Sequence, residues 1–364
     1  MRHALTLLLG LVASTAAEPK LTLRSPADHA VLQRQSADSG RVEVSGDVQA
    51  DGPETVEIRF DGGSWQALDA APKNTFAATF DLPKGVHTLE ARVRPDGQTP
   101  AATTSVRFGI GEVFVVTGQS NSANHGAGRT RAKSDQVFSL TPKGAWVPCA
   151  DPQPGASGNG GSFLPALGDE LQKRLGVPIG FIPCGIGATS VREWLPAGIP
   201  FPNPPTLVSR VKQTADGAWE ADGKAYALLV ARMRAVPSFR AVLWHQGESD
   251  ANQKDAARTL PGKTYAEHLT KLIAGTAKDS QRPAPWFVAQ VSYHGPKDVG
   301  SDDLRAAQAG LWKSGVALEG PDSDALRGPL RDQGGNGVHF SAEGLQAHAH
   351  AWAEKLAPWI QAQR

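Results

Sequence analysis

Val113-Phe114-Val115-Val116-Thr117-Gly118-Gln119-Ser120-Asn121 joins four consecutive apolar residues to a polar tetrad that opens with glycine. A short apolar run closed by a turn signal reads as a buried strand. Open α/β sheets carry their chemistry at strand ends, so this reading puts the Ser120 hydroxyl at such an edge. Two further segments bear on the site. Trp244-His245-Gln246-Gly247-Glu248-Ser249-Asp250 also follows an apolar run, and Gly337-Val338-His339-Phe340-Ser341 lies near the C-terminus. Between them the three segments supply a hydroxyl, a carboxamide and an imidazole.

Outward from that stretch, apolar runs at 113–116, 179–183, 241–244 and 286–291 alternate with helical periodicity at 163–175, 225–235, 265–275, 304–311 and 344–360. The alternation predicts an α/β domain over 109–364, with a parallel sheet covered by helices on both faces. Residues 123–161 are polar, glycine-rich and without clear period. Together with an insertion at 196–224 they read as long loops of the kind that wall a binding site. Residues 18–108 differ. Arg41-Val42-Glu43-Val44, Thr55-Val56-Glu57-Ile58-Arg59-Phe60 and His87-Thr88-Leu89-Glu90-Ala91-Arg92-Val93 alternate polar and apolar side chains between turn signals. That pattern predicts a small all-β, immunoglobulin-like sandwich, an accessory domain with no catalytic constellation.

Residues 1–17 begin with Arg2-His3, continue through an apolar core at 4–13 and end in Ser14-Thr15-Ala16-Ala17. This reads as a signal peptide cleaved after Ala17, and it predicts a secreted or periplasmic protein; a buried N-terminal helix is the alternative. No later stretch is long enough to span a membrane. The 37 basic and 36 acidic side chains leave a net charge of +1, without the clustered basic field that nucleic acid requires. Export makes Cys149 and Cys184 candidates for a disulfide, with two buried thiols as the alternative. Neither cysteine has metal-ligand spacing.

A serine hydroxyl needs a base to take its proton and donors to hold the oxyanion. The Gly-x-Ser-x-Gly elbow of α/β-hydrolases is absent. Gly118-Gln119-Ser120-Asn121, Gln246-Gly247-Glu248 and Gly185-Ile186-Gly187-Ala188-Thr189 followed by Trp194 instead resemble the blocks of SGNH-type carbohydrate esterases, of the sialate O-acetylesterase and acetylxylan esterase kind. Val31-Leu32-Gln33-Arg34 in the β-region is similar to that family too. The resemblance implies a three-layer SGNH-hydrolase (flavodoxin-like) sheet and a serine esterase that removes O-acetyl groups from a carbohydrate. It implies Ser120 as nucleophile, His339 as base, an oxyanion site built from the Ser120 and Gly187 N–H groups and the Gln246 amide, and no metal or organic cofactor.

Two positions depart from the family pattern. Ala188 stands where a second glycine is common, and Asn336 stands three before His339 in place of aspartate. Asn336 can orient the imidazole but cannot supply charge. Glu248 is the first choice for the missing acid because its block already belongs to the site; Asp332 and Asp324 are the others. Asn121, His125, Arg192, Trp194 and His245 are candidate substrate contacts, with core packing the commoner use of tryptophan and a solvated surface the commoner place for arginine. His294 lies in a loop that can border the cleft, while His348 and His350 read as surface groups of the last helix. The missing aspartate keeps a catalytically silent carbohydrate-binding protein open as an alternative, and a lipase or thioesterase is the other. The expected partner is an acetylated carbohydrate, from sialic acid to plant or algal polysaccharide.

Overall fold

A computed structural model of the chain describes residues 19–49, 54–68, 75–95 and 102–363. The expected leader at 1–17 lies outside the described residues. The chain folds as two compact units. One holds the described residues up to Pro26 with Glu43–Thr79 and Thr88–Val106; the other holds Ala27–Val42, Phe80–His87 and the chain from Arg107 onward.

In the first unit every described element is a strand. Lys20–Ser25 pairs antiparallel with Ser39–Gln49, and Glu54–Phe60 pairs with both Gln66–Leu68 and Gly85–Pro95. The two-residue period decides which side chains are buried: Val56, Ile58, Leu89, Ala91 and Val93 are inside. On the alternate positions Arg59 pairs with Glu90 and Arg92 with Glu57, and both guanidiniums lie over the Trp65 ring.

The main sheet of the second unit is built from β1 (Ala102–Gly118, which enters the unit at Arg107), β2 (Val137–Leu140), β3 (Trp146–Pro148), β4 (Ile179–Pro183), β5 (Ala241–His245), β6 (Trp286–Gln290) and β7 (Leu318–Asp322). Their order is β3-β2-β4-β1-β5-β6-β7, parallel throughout except for β3 against β2. After β1 the chain builds one side of the sheet and then crosses to build the other, so the end of β1 lies at a topological switch point.

The helices are α1 (Leu164–Leu175), α2 (Lys224–Arg234), α3 (Gly262–Ser280), α4 (Asp302–Lys313) and α5 (Ala342–Ala362). Phe114, Val116, Phe181, Leu243 and Phe287 pack with Leu167 and Leu171 of α1 and with Trp352 and Leu356 of α5 in one buried cluster. Burial of each such side chain contributes about 1.5–3 kcal/mol. The alternate strand positions meet other helices: Trp244 donates to Tyr265 Oη on α3 at 3.2 Å.

Three differences from the sequence reading have local causes. Helix α3 runs past Gly275 to Ser280; the glycine serves packing rather than termination, since a Cβ there would lie 2.9 Å from Tyr226 Oη of α2. Strands β2 and β3 lie inside the stretch read as loop, being too short to show a period. The 196–224 insertion contains its own small sheet, Pro200–Phe201, Trp219–Ala221 and Val211–Gln213, closed over Leu195, Phe201 and Ala221.

Within β1, Glu112 is wholly buried and held by Arg34 Nε at 2.6 Å, Arg240 Nε at 2.6 Å and Gln33 Nε2 at 2.9 Å. Gln33 Oε1 also accepts the Val113 N–H at 2.9 Å, which fastens the Val31–Gln33 strand alongside β1. Removing one partner from a buried ion pair leaves the other charge uncompensated. Glu112→Ala should therefore cost about 3–5 kcal/mol in denaturant unfolding, and more than the isosteric Glu112→Gln.

Candidate active site

Gly118 ends β1 with φ +124, and a Cβ there would lie 2.1 Å from His245 O. Only glycine lets the two strand ends come this close. Gln119 then donates its N–H to His245 O at 2.9 Å, and its side-chain Oε1 accepts from Gly247 N at 3.2 Å and Ser249 N at 3.1 Å. The serine segment is thus fastened to the segment after β5 before any chemistry is considered. Ser120 opens a short 3-10 turn, Ser120–Ser122, and its N–H meets no protein acceptor among the described residues.

Ser120 faces a cavity of about 650 Å³ whose walls include His125, Gly187, Glu248, His294 and His339. Leu207 and Arg210 of the insertion form part of its rim. His339 and His125 lie side by side, ring centroids 5.4 Å apart. Burial lowers the His339 pKa below the usual imidazole range; the Asp332 charge opposes the shift and the Arg331 charge adds to it. His125 is lowered by burial and then by the neighbouring His339. Both shifts favour the neutral ring at pH 7. No hydrogen bond joins Ser120 Oγ to His339, a contact that in such sites often tightens only around substrate.

The carboxylate nearest the His339 ring belongs to Asp332, with Oδ2 3.7 Å from Nδ1. The chain doubles back here. Gln333, Gly334 and Gly335 all have positive φ, Asp332 N donates to His339 O at 2.9 Å, and a Cβ on Gly337 would strike Asp332 Oδ1. Asn336, three before His339, is exposed and donates to Gln333 O. Glu248 forms no hydrogen bond or ion pair with His339. Its Oε1 accepts from Asn121 Nδ2 at 3.0 Å, its Oε2 has no protein partner, and burial raises the carboxyl to about 7. Asp324 is committed to Ser292, the Tyr293 N–H and Arg305.

Several expected site residues face elsewhere. The Gln246 amide donates to Asp250 Oδ2 at 2.7 Å and Thr189 O at 3.0 Å, away from an oxyanion position. The Gly187 N–H lines the cavity but donates to Ser157 Oγ at 2.6 Å, and that hydroxyl also meets His125 Nε2 at 3.1 Å. Arg192 is wholly buried in an ion pair with Asp250. Trp194 is core, its indole donating to Thr189 Oγ1 and its ring set edge-on to Trp244. His245 is buried beside His348, with no protein hydrogen bond to either ring nitrogen. Asn121 is buried behind the cavity wall. Of the candidate contacts, His125 lines the cavity, and so does His294, read as a loop residue bordering the cleft.

His348, read as a surface group, is wholly buried on Phe340 and accepts the Trp352 N–H; His350 is exposed near Glu170. Cys149 and Cys184 are free buried thiols and form no disulfide. The Cys149 sulfur lies against the Gln153 amide at 3.5 Å, and burial pushes the thiols up to about 12 and about 11 respectively. Sequence reasoning missed Ser157 and Arg210, which lie in stretches without motif or period. Among the described residues no group of three or more His, Cys, Asp or Glu side chains is placed to hold a metal ion, and no helix is long and apolar enough to cross a membrane.

A parallel-sheet domain with a serine and a histidine on one cavity at the strand ends has the arrangement of a hydrolase. The chain belongs to the carbohydrate esterase family described as sialic acid-specific acetylesterase, which matches residues 110–357, and is thus a carboxylic ester hydrolase acting on carbohydrate. Among solved structures it is similar to a carbohydrate acetylesterase from Xanthomonas citri, at 19% identity and TM-score 0.53, over 92% of this chain and 73% of that one. A carbohydrate esterase family 2 enzyme with a carbohydrate-binding domain, from Corynascus thermopiles, aligns over 94% of this chain and 99% of that one, at 16% identity and TM-score 0.35. No protein of curated function matches.

Burial holds His245 down to about 3 and His348 well below its ordinary value, while the unfolded chain protonates both near 6.5. The unfolded state therefore binds more protons below pH 6.5, and native stability falls as pH drops toward 3. Each histidine contributes a slope of up to ~1.4 kcal/mol per pH unit. Urea unfolding from pH 7 to 4 should show this slope, and His245→Phe should reduce it.

Proposed function

We propose that the protein is an exported serine esterase that removes O-acetyl groups from a carbohydrate through an acyl-serine intermediate. The observation that carries this reading is the meeting of Ser120 and His339 at one cavity on the strand-end edge of a carbohydrate esterase domain, with the Asp332 carboxylate beside the His339 ring. His339 takes the Ser120 hydroxyl proton as Oγ attacks the acetyl carbonyl. The Ser120 N–H receives the developing oxyanion, joined by the Gly187 N–H once it exchanges Ser157 Oγ for the substrate. One such donor is worth roughly 3 kcal/mol in the transition state. The imidazolium then protonates the departing sugar oxygen. Water, giving its proton to His339, attacks the acyl-serine; acetate leaves and Ser120 recovers its proton.

Asp332, in place of Glu248 or Asn336, orients the ring through Nδ1 and stabilises its cation. A neutral His339 suits this work because only the unprotonated ring accepts the serine proton. The substrate is an O-acetylated sugar, sialic acid or plant or algal polysaccharide, and the cycle calls on no cofactor. The scaffold is read as a three-layer SGNH hydrolase with an immunoglobulin-like β-domain, supported by the strand order and by helices packed against alternate strand positions. Export rests on residues 1–17.

Acetate release from a panel of acetylated sugars and polysaccharides tests the reading. Ser120→Ala and His339→Ala should each abolish release while the thermal midpoint stays near wild type; turnover in either would defeat it. Asp332→Asn should lower kcat by about 10²–10⁴-fold, and Asn336→Ala should stay near wild type. Since the His339 pKa lies below 6.5, the acid limb of kcat/KM should also fall below 6.5. It should move lower still in Asp332→Asn, which loses the charge that raises it.

A further inference from the structure

The carbonyl of Val338 accepts two N–H groups, Asn121 Nδ2 at 3.1 Å and Arg331 Nη1 at 2.7 Å. Val338 immediately precedes His339, and Asn121 immediately follows Ser120. We propose that Asn121 is a positioning residue whose amide sets the spacing between the serine and the histidine, with Arg331 holding the same carbonyl from behind. The proposal rests on the esterase reading and assigns Asn121 no contact with substrate.

The side-chain amide of Asn121 is a planar group with two N–H donors at fixed angles. One goes to Val338 O and the other to Glu248 Oε1, so a single nitrogen ties the serine segment to the segment after β5 and to the histidine segment. Asn121 is 3% exposed, so a displaced partner would leave a buried donor unpaired. Arg331 has equally little freedom. It is 2% exposed, its guanidinium lies 4.3 Å from both the Tyr293 and Phe340 ring centroids, and its remaining bonds go to Leu326 O at 2.6 Å and Ser323 O at 2.7 Å. The ionisable groups facing it are Glu248, Asp324, Tyr293 and Asp332. With both lone-pair directions of the Val338 carbonyl engaged, the backbone entering His339 cannot slide without breaking one bond or the other. Misplacement of reacting groups by about 1 Å costs on the order of 10²-fold in rate, so this linkage acts on turnover more than on binding.

The experiment compares three proteins on a small acetyl ester, following kcat, KM, pH profile and thermal midpoint. In Asn121→Ala, kcat should fall about 10²-fold while KM stays within about threefold, and the acid limb should rise toward 6.5 as the His339 segment loosens and its ring gains solvent. The double substitution Asn121→Asp with Glu248→Gln keeps a carboxylate–carboxamide pair between 121 and 248 with the donor reversed, but offers Val338 no donor. Its thermal midpoint should approach wild type while kcat stays low. Wild-type kcat in a folded Asn121→Ala, or recovery of kcat in the double variant, would overturn the proposal. Should Asn121→Ala fail to fold, the double variant decides alone. If Ser120→Ala and His339→Ala are inactive while Asn121→Ala is fully active, this inference fails and the esterase mechanism stands; if those two retain turnover, the mechanism itself fails.

Discussion

Behind the cavity one buried carboxylate carries the geometry. Asp250 has no solvent exposure and accepts from Ser190 Oγ at 2.5 Å, Val191 N at 2.8 Å, Arg192 Nη2 at 3.1 Å and Gln246 Nε2 at 2.7 Å. An isolated charge in that place would be prohibitive; four donors, one of them cationic, make it tolerable. Arg192 passes the constraint on. Its other N–H groups hold Asn203 O in the insertion and Arg258 O beyond the β5 loop, so the glycine segment, the glutamine segment and the insertion share one ionic centre. A loop wall built this way is rigid without regular secondary structure, which is what a site made from strand-end loops requires.

That centre also explains how the sequence could name the right segments and misjudge what their side chains do. Apolar runs of four or five residues between turns mark β1, β4, β5 and β6 because strands buried on both faces need no alternation. Strand β7, Leu318–Asp322, contains glycine, proline and two acids and gives no such signal. At the site, Ser120 and His339 were legible as residue types that chemistry needs. Gln246, Arg192 and Trp194 were legible as members of a pattern, yet the direction of each side chain depends on partners far away in the chain. Gln246 turns to Asp250 and Thr189, and Trp194 turns into the core.

Asp332 shows the limit most clearly. A three-residue spacing puts Asn336 on the histidine only if the backbone between them turns in the ordinary way. Here three successive residues with positive φ fold the segment back, so the acid seven positions upstream lies against the ring and Asn336 points to solvent. A run of Gln-Gly-Gly does not announce that turn, because only glycine adopts such φ values freely and Gln333 adopts one against its preference. His348 was obscured for another reason. Helix α5 runs beneath the strand ends, and the spacing of a polar residue says nothing about a packed Phe340 ring ready to receive it.

The electrostatics of the cavity follow from the same packing. Burial disfavours charge on His125, His339 and Glu248 alike, although the first two are bases and the last an acid. Burial thus favours the uncharged forms of these three wall groups, whereas His294, paired with Asp298, is raised, and the Asp250, Arg192 and Arg331 side chains are held behind the wall by hydrogen bonds. In the proposed mechanism, the imidazolium that would form when Ser120 gives up its proton has one close carboxylate, Asp332. A nearby opposite charge is worth most where water is scarce. On the proposed reading, the lowered pKa of His339 and its dependence on Asp332 are two consequences of one desolvated site: the neutral ring can accept a proton, and the carboxylate beside it matters most at the moment that proton arrives.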